Sequence, residues 1–350
     1  MKVAVIGGGI YGSRLAYVLS SKHSVDLYEK NEQILEQAAS NNQHRLHLGY
    51  HYPRSPETIE QCLEAHDIFL LEYGDCTATI DNNFYLVHRD SLVKFEEYVK
   101  TFSSFSLDHA EVELNSLDPF LSNKNQFAGA IRTKECMILL GKLKDKIKKQ
   151  LSSTNVSILT KTMVKEIKEG RVVSTKGKKD YDMVINCTYN NPQMGLDIEI
   201  KTKTEACCML LVEMKNDTFA NKSFTIMDGD YGSLYPANND GVFTISSVKN
   251  SPFLKGLTKE EISLDQCLRS KVTQEVKNNI MQDIKRYINL SEDDFTMLRP
   301  YFSLKTKLFD DHQDLRTSSY FRHGKNISVL CGKISAVFTL EDKIIREIEQ

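Results

Sequence analysis

The chain has 350 residues, 41 % of them apolar, and a formal net charge of −2. That length suggests about two domains with ordinary cores, and the near-neutral charge leaves no electrostatic footprint for a nucleic acid. No apolar run approaches the ~18 residues of a membrane span, no repeat or low-complexity tract is present, and the eight cysteines lack CxxC or zinc spacing, as buried thiols in a reducing compartment do.

Residues 3–6 form a short β-branched apolar run that ends in glycines, the pattern of a buried parallel strand. Helical periodicity follows over residues 11–22 through Leu15, Ala16 and Leu19, and residues 25–28 read as a second strand. Together they make a βαβ unit. Between its first strand and its helix lies Gly7-Gly8-Gly9-Ile10-Tyr11-Gly12, a GxGxxG pattern. Gly7 permits the tight turn, Gly9 lets the backbone approach a pyrophosphate, and Gly12 lets the helix pack closely on the strand. The helix N-terminus then offers free N–H groups to the phosphates. Glu29 ends the second strand, 22 residues after Gly7. A carboxylate there accepts both hydroxyls of an adenosine ribose and repels a 2′-phosphate. These features predict a Rossmann-type dinucleotide site, without deciding between FAD and NAD.

Further along, residues 57–73 read as a long amphipathic helix opened by Ser55-Pro56. Residues 76–87 alternate like strands of a half-exposed sheet. Residues 137–151 look helical, and 156–160, 163–167 and 171–175 look like three short strands. Residues 181–187 form another buried strand that runs into a polar stretch at 188–191. Residues 203–249 are strand-rich, with turn chemistry at 228–230 and a hairpin signal at 238–241. Residues 258–288 read as mostly helical, 328–331 as a last buried strand, and the chain closes on a helix. Parallel-looking strands thus lie at the start, middle and end, with antiparallel material between. The expected architecture is α/β, a discontinuous Rossmann-type nucleotide domain (1–80, 135–200 and 310–350) carrying an inserted antiparallel-sheet α+β substrate domain (81–134 and 201–309).

Residues 38–55 (AASNNQHRLHLGYHYPRS) resemble the segment after the second strand in the D-amino-acid-oxidase-like FAD superfamily, nearest its L-2-hydroxyglutarate and glycerol-3-phosphate dehydrogenase branch. In that family a Ser/Asn-rich stretch is followed by apolar-His-x-Gly and Tyr. Residues 181–188 resemble the family's strand ending beside the flavin. Gly332-Lys333-Ile334-Ser335-Ala336 resembles its Gly-Lys-x-Thr-Thr turn, and Asp228-Gly229 with Leu234-Tyr235-Pro236 resembles its substrate-side strand pair. The chain departs from the pattern at His44 (usually Gly), at Tyr189 (usually Gly), and at Ser335 and Ala336 (usually two threonines).

The resemblance implies FAD as cofactor, held by Gly7, Gly9, Ile10, Tyr11, Gly12, Glu29, Lys30, Asn42, Arg45, Leu46, His47, Val164, Thr188, Gly332, Lys333, Ile334 and Ser335. It further implies a flavin-dependent oxidase or dehydrogenase that oxidises a C–N or C–O bond of a small anionic substrate. Flavin chemistry asks the protein for a cation to hold the substrate's acid, a base if the substrate is an alcohol, and positive charge near the ring. His47 is the expected base, or else a hydrogen-bond partner of the flavin. Tyr52 and His51 are further candidates beside it. Arg299 is the expected carboxylate clamp, with Arg45, Arg54, Arg316 and Arg322 as lesser cations. Lys333 would supply charge near the flavin, and Tyr231 and Tyr235 would cover its face. Three rivals stay open: a redox-neutral flavin enzyme on a nucleotide sugar, an NAD-dependent dehydrogenase, and a non-catalytic flavoprotein. A soluble, cytoplasmic protein without metal is expected.

Overall fold

The structure, a computed structural model, describes residues 1–238, 240–263, 271–309 and 318–349. It is a mixed α/β fold whose largest parallel element is a six-stranded sheet. Its order is Ser319–His323, Asn326–Leu330, Met183–Asn186, Lys2–Ile6, Ser24–Tyr28 and Ser157–Leu159. All neighbours run parallel except the first pair. Alternate side chains of a strand face opposite sides, so the apolar run at residues 3–6 serves two layers. Val3 and Val5 pack under the helices Ile10–Leu19, Pro56–Tyr73, Leu140–Ser152 and Val337–Glu349. Ala4 and Ile6 meet Ile167 and Val172 of a three-stranded antiparallel sheet, residues 164–180.

The remaining strands build a nine-stranded, mainly antiparallel sheet. Its long members, Thr202–Met214 and Phe295–Leu308, pair along nearly their full length. The helix Gln274–Lys285 closes one face through Ile280 and Ile284. The hairpin expected around 238–241 joins Gly232–Pro236 to Val242–Ser247; Asn239 itself lies outside the described residues. Residues 264–270, inside the stretch read as helical, also lie outside them.

One expectation changes. The helix read from residue 137 begins at Leu140, and Cys136–Ile138 is a strand instead. It pairs antiparallel with Arg45–Leu46 on one side and Thr77–Thr79 on the other. The stretch around Arg299, assigned no element from the sequence, belongs to a 14-residue strand. Pro300 cannot donate to a ladder, which hides the strand's alternation; the ladder bears a register shift beside it.

Arg14 ties the first helix to two others. Its Nε and Nη2 grip both oxygens of Glu341 at 2.6 and 3.1 Å, and Nη1 reaches Glu72 at 3.0 Å. The guanidinium also lies 5.1 Å from the ring centre of Phe338. Arg14 and Glu341 are both buried. Removing one partner strands the other's charge, so Arg14→Ala should cost about 3–5 kcal/mol in denaturant unfolding. The double change Arg14→Met/Glu341→Leu removes both charges and should recover most of that loss.

Candidate active site

A cleft of about 520 Å³ runs from the glycine loop to the inner edge of the large sheet. At one end the first strand turns at Gly7, which sits at φ +102° and donates its N–H to the Tyr28 carbonyl at 2.8 Å. A side chain there would meet the Cys187 carbonyl oxygen at 2.8 Å. Gly9, Ile10 and Tyr11 present the start of the helix to the cleft, and a Cβ added to Gly9 would touch nothing within 4 Å. Gly12 lies behind this wall, where a Cβ would fall 1.9 Å from the Gly7 carbonyl oxygen. Glu29 is buried and accepts the N–H groups of Gly8 at 2.9 Å and Asn31 at 2.8 Å, one on each oxygen. A carboxylate has about four acceptor sites, so two backbone donors leave room for a ribose. Lys30 and Val164 line the same end.

Asn42, Arg45, His47 and Tyr52 line the cleft farther along, joined by Thr188 and by Gly332, Lys333, Ile334 and Ser335. Asn186 holds the Thr188 turn by accepting both its N–H and its hydroxyl, at 3.1 and 2.7 Å. Tyr11 donates to the Lys333 carbonyl at 2.5 Å, tying the last turn to the first helix. Leu46 is not part of the wall; its side chain is fully buried in the core beneath the helices.

Arg299 also stays out of the cleft. It sits on the exposed half of its strand, opposite Leu211, with its guanidinium 5.0 Å from the Tyr301 ring centre. The strand's other half, Ser303 to Leu308, forms cleft wall together with Met209. Tyr231 packs against His88 at 4.8 Å between ring centres, away from the wall. Arg54 pairs with Asp228 and Arg322 with Glu347. Arg316 lies outside the described residues.

The cleft's inner end is a buried polar cluster. The Arg45 guanidinium, 7 % exposed, stacks 4.1 Å over the ring of fully buried Tyr235. Its Nη1 makes a long contact of 3.4 Å with the Tyr85 hydroxyl. Nε and Nη2 are buried with no hydrogen-bond partner among the described residues. These are the same two nitrogens with which Arg14 grips Glu341. Glu135 is fully buried, accepting Leu48 N–H at 2.8 Å and Tyr85 O–H at 2.5 Å, and faces His47 Nδ1 at 3.8 Å. Burial alone would raise its pKa; His47, the Tyr85 hydroxyl and Arg45 together hold it below the usual carboxylate value. Burial lowers the pKa of His47, against the pull of Glu135 and with the help of positive Arg45 and Lys333. Lys333 Nζ lies 4.4 Å from the Tyr52 ring centre and 3.2 Å from Cys62 Sγ. Sequence reasoning passed over Glu135, Met209 and residues 303–308. Glu135 lies 87 positions from Leu48, and only the Leu46–Cys136 pairing brings it there.

His44, where the family usually has Gly, sits at φ +60° and faces the Ala237 carbonyl through Nδ1 at 2.7 Å. Burial takes its pKa from 6.5 down to about 4. Between those values the unfolded chain binds a proton that the folded chain does not. The resulting stability is complete above pH 6.5 and is lost as the pH falls through 4, an effect of about 3 kcal/mol. Asn tolerates positive φ, so His44→Asn should flatten this part of a plot of denaturation midpoint against pH.

Residues 2–334 match the FAD dependent oxidoreductase family (DAO), and the chain belongs to it. FAD is its cofactor, and the residues present fit that group: a glycine loop with open space at Gly9 and a ribose acceptor at Glu29. The FAD-dependent monooxygenase FPY4 of Fusarium mangiferae is 27 % identical, across 99 % of this chain and 91 % of that protein. The FAD-dependent monooxygenase kojA of Aspergillus flavus is 23 % identical, across 99 % and 85 %. Among solved structures, glycine oxidase from Geobacillus kaustophilus superposes with a TM-score of 0.76 at 12 % identity, covering 99 % of this chain and 93 % of that one. L-alpha-glycerophosphate oxidase from Mycoplasma pneumoniae superposes with 0.77 at 16 % identity, covering 100 % and 94 %. The chain is thus an FAD-dependent oxidoreductase. Among the described residues no helix is long and apolar enough to cross a membrane.

Proposed function

We propose that the protein oxidises a C–N or C–O bond next to a carboxylate or similar anion on a small molecule. The observation that carries this reading is cleft-lining Arg45, whose Nε and Nη2 are buried without a hydrogen-bond partner among the described residues. Nε and Nη2 form the fork that matches a carboxylate or phosphate with two parallel hydrogen bonds. A buried guanidinium with that edge unpaired is costly unless a ligand completes it. The superposed oxidases are named for glycine and L-alpha-glycerophosphate, both small molecules that carry an anionic group.

When bound, FAD supplies the two-electron acceptor. Arg45 anchors the substrate's anion, and the rigid Tyr235 beneath it fixes the guanidinium plane. Neutral His47 accepts the proton of the substrate's hydroxyl or ammonium group. Met209, Leu304 and Ile334 supply apolar wall that keeps water from the reacting bond. Glycine loop, Glu29, Thr188 and the turn at 332–335 hold the cofactor.

The names of the two fungal relatives favour a second reading, in which oxygen is added to the substrate after an external reductant has acted. One experiment separates the two. Purified yellow protein is mixed without oxygen with amino acids, hydroxy acids and phosphorylated polyols. Loss of the yellow colour with an anionic member supports the first reading. Colour loss only with a nicotinamide reductant would overturn it in favour of the second.

A further inference from the structure

The acceptor proposed for the substrate proton, His47, has two ring nitrogens, and only one can take a proton while the other holds one. Its Nδ1 is buried and has no hydrogen-bond partner among the described residues. The group it faces is Glu135, with Oε1 at 3.8 Å. That carboxylate is not free to turn away. Oε1 is held by the Leu48 N–H and Oε2 by the Tyr85 hydroxyl, and the side chain is fully buried. Its backbone is held too, because the next residue, Cys136, is paired with Leu46, which precedes His47. Two neighbouring strands therefore deliver the acid and the imidazole side by side.

We infer that Glu135 is a positioning residue that keeps His47 as the Nδ1–H tautomer, so that Nε2 carries the lone pair which accepts the substrate proton. The inference rests on the reading of His47 as proton acceptor given above. An ionised carboxylate only accepts hydrogen bonds, so the nitrogen aimed at it must carry hydrogen. The contact is longer than a hydrogen bond, as such contacts often are before a ligand closes the site. The other charges around His47 are Arg45, two residues before it, and Lys333 on the turn after the last sheet strand. The rings of His51 and Tyr52 lie 5.6 Å away, centre to centre. Arg45 and Lys333 both oppose a protonated imidazole, and Glu135 alone among these groups favours it.

The test uses the FAD-loaded protein and Glu135→Gln. Nitrogen-15 NMR of the imidazoles reads the tautomer, with the His47 signals assigned by their loss in His47→Gln. The wild type should show Nδ1–H, and Glu135→Gln should show a mixture of both forms. With the substrate found by colour loss, kcat should fall ten-fold or more. The acid limb of the kcat/KM profile should move to lower pH by roughly one unit, because the charge that favoured the imidazolium is gone. FAD content should not change. An unchanged tautomer with an unchanged acid limb would overturn the inference. If Glu135→Gln does not fold, Tyr85→Phe keeps the charge but releases Oε2, and should give a smaller change of the same kind; no change there would also overturn it. A panel that yields no substrate defeats the oxidation reading, while the tautomer measurement still decides the role of Glu135.

Discussion

Arg45→Met is expected to give a folded, yellow protein whose kcat/KM for its anionic substrate is about 10²-fold lower or worse. The figure reflects the loss of two charge-assisted hydrogen bonds, each worth ~1.5–3 kcal/mol. Most of the loss should appear in KM, because the anion is held equally before and during reaction. Methionine keeps the apolar contact with Tyr235 but removes the fork. Arg45→Lys keeps the charge beside Glu135 and still cannot offer two parallel N–H bonds. It should match the wild type in thermal stability while binding substrate nearly as poorly as the methionine variant. Steady-state kinetics with the flavin spectrum decide the point. If either variant loses FAD with its KM unchanged, the guanidinium serves the cofactor instead.

Gly12→Ala should be more damaging, and for a different reason. The added methyl falls 1.9 Å from the Gly7 carbonyl oxygen and 3.3 Å from Val5 Cγ1. Backbone cannot rotate aside as a side chain does, so the first helix must lift from the sheet. Overpacking of this kind costs ~1–3 kcal/mol even where side chains give way. The same shift moves the helix N-terminus that faces the cofactor. Purified Gly12→Ala should therefore melt lower and carry little flavin. Gly9→Ala is the informative partner. Its Cβ meets no protein atom and its φ of −74° suits alanine. The flavin-free form should melt like the wild type, yet the flavin-to-protein absorbance ratio should fall. Equal behaviour of the two variants would contradict the division of labour within the loop.

The nucleotide end of the cleft is legible in the sequence because its parts are local. Strand, glycine loop, helix and Glu29 occupy the first thirty residues, and each obeys a rule of backbone or hydrogen-bond geometry. The buried end is not, because its partners meet only through tertiary pairing. Cys136–Ile138 continues without a break into the apolar start of a helix, and periodicity cannot divide so short a strand from the helix after it. Without that strand nothing connects Glu135 to His47. Pro300 conceals the strand that brings Ser303 to Leu308 to the cleft, which leaves Arg299, on the half that stays outside, as the visible cation. Arg45 is visible as a cation too, but its unpaired edge is a fact of packing alone.

The cleft wall is assembled from residues 7–11, 188–191, 303–308 and 332–335. A ligand that bridges them adds its binding energy to every opening that separates any one from the rest, about 4 kcal/mol at a thousand times its Kd. The glycine loop is synthesised more than three hundred residues before the Gly332 turn, so a growing chain cannot draw on that energy until both have emerged. Bound flavin therefore stabilises only the form in which these distant segments are correctly assembled. Flavin-free protein should accordingly open more often, and be cut faster by an added protease, than the flavin-loaded form.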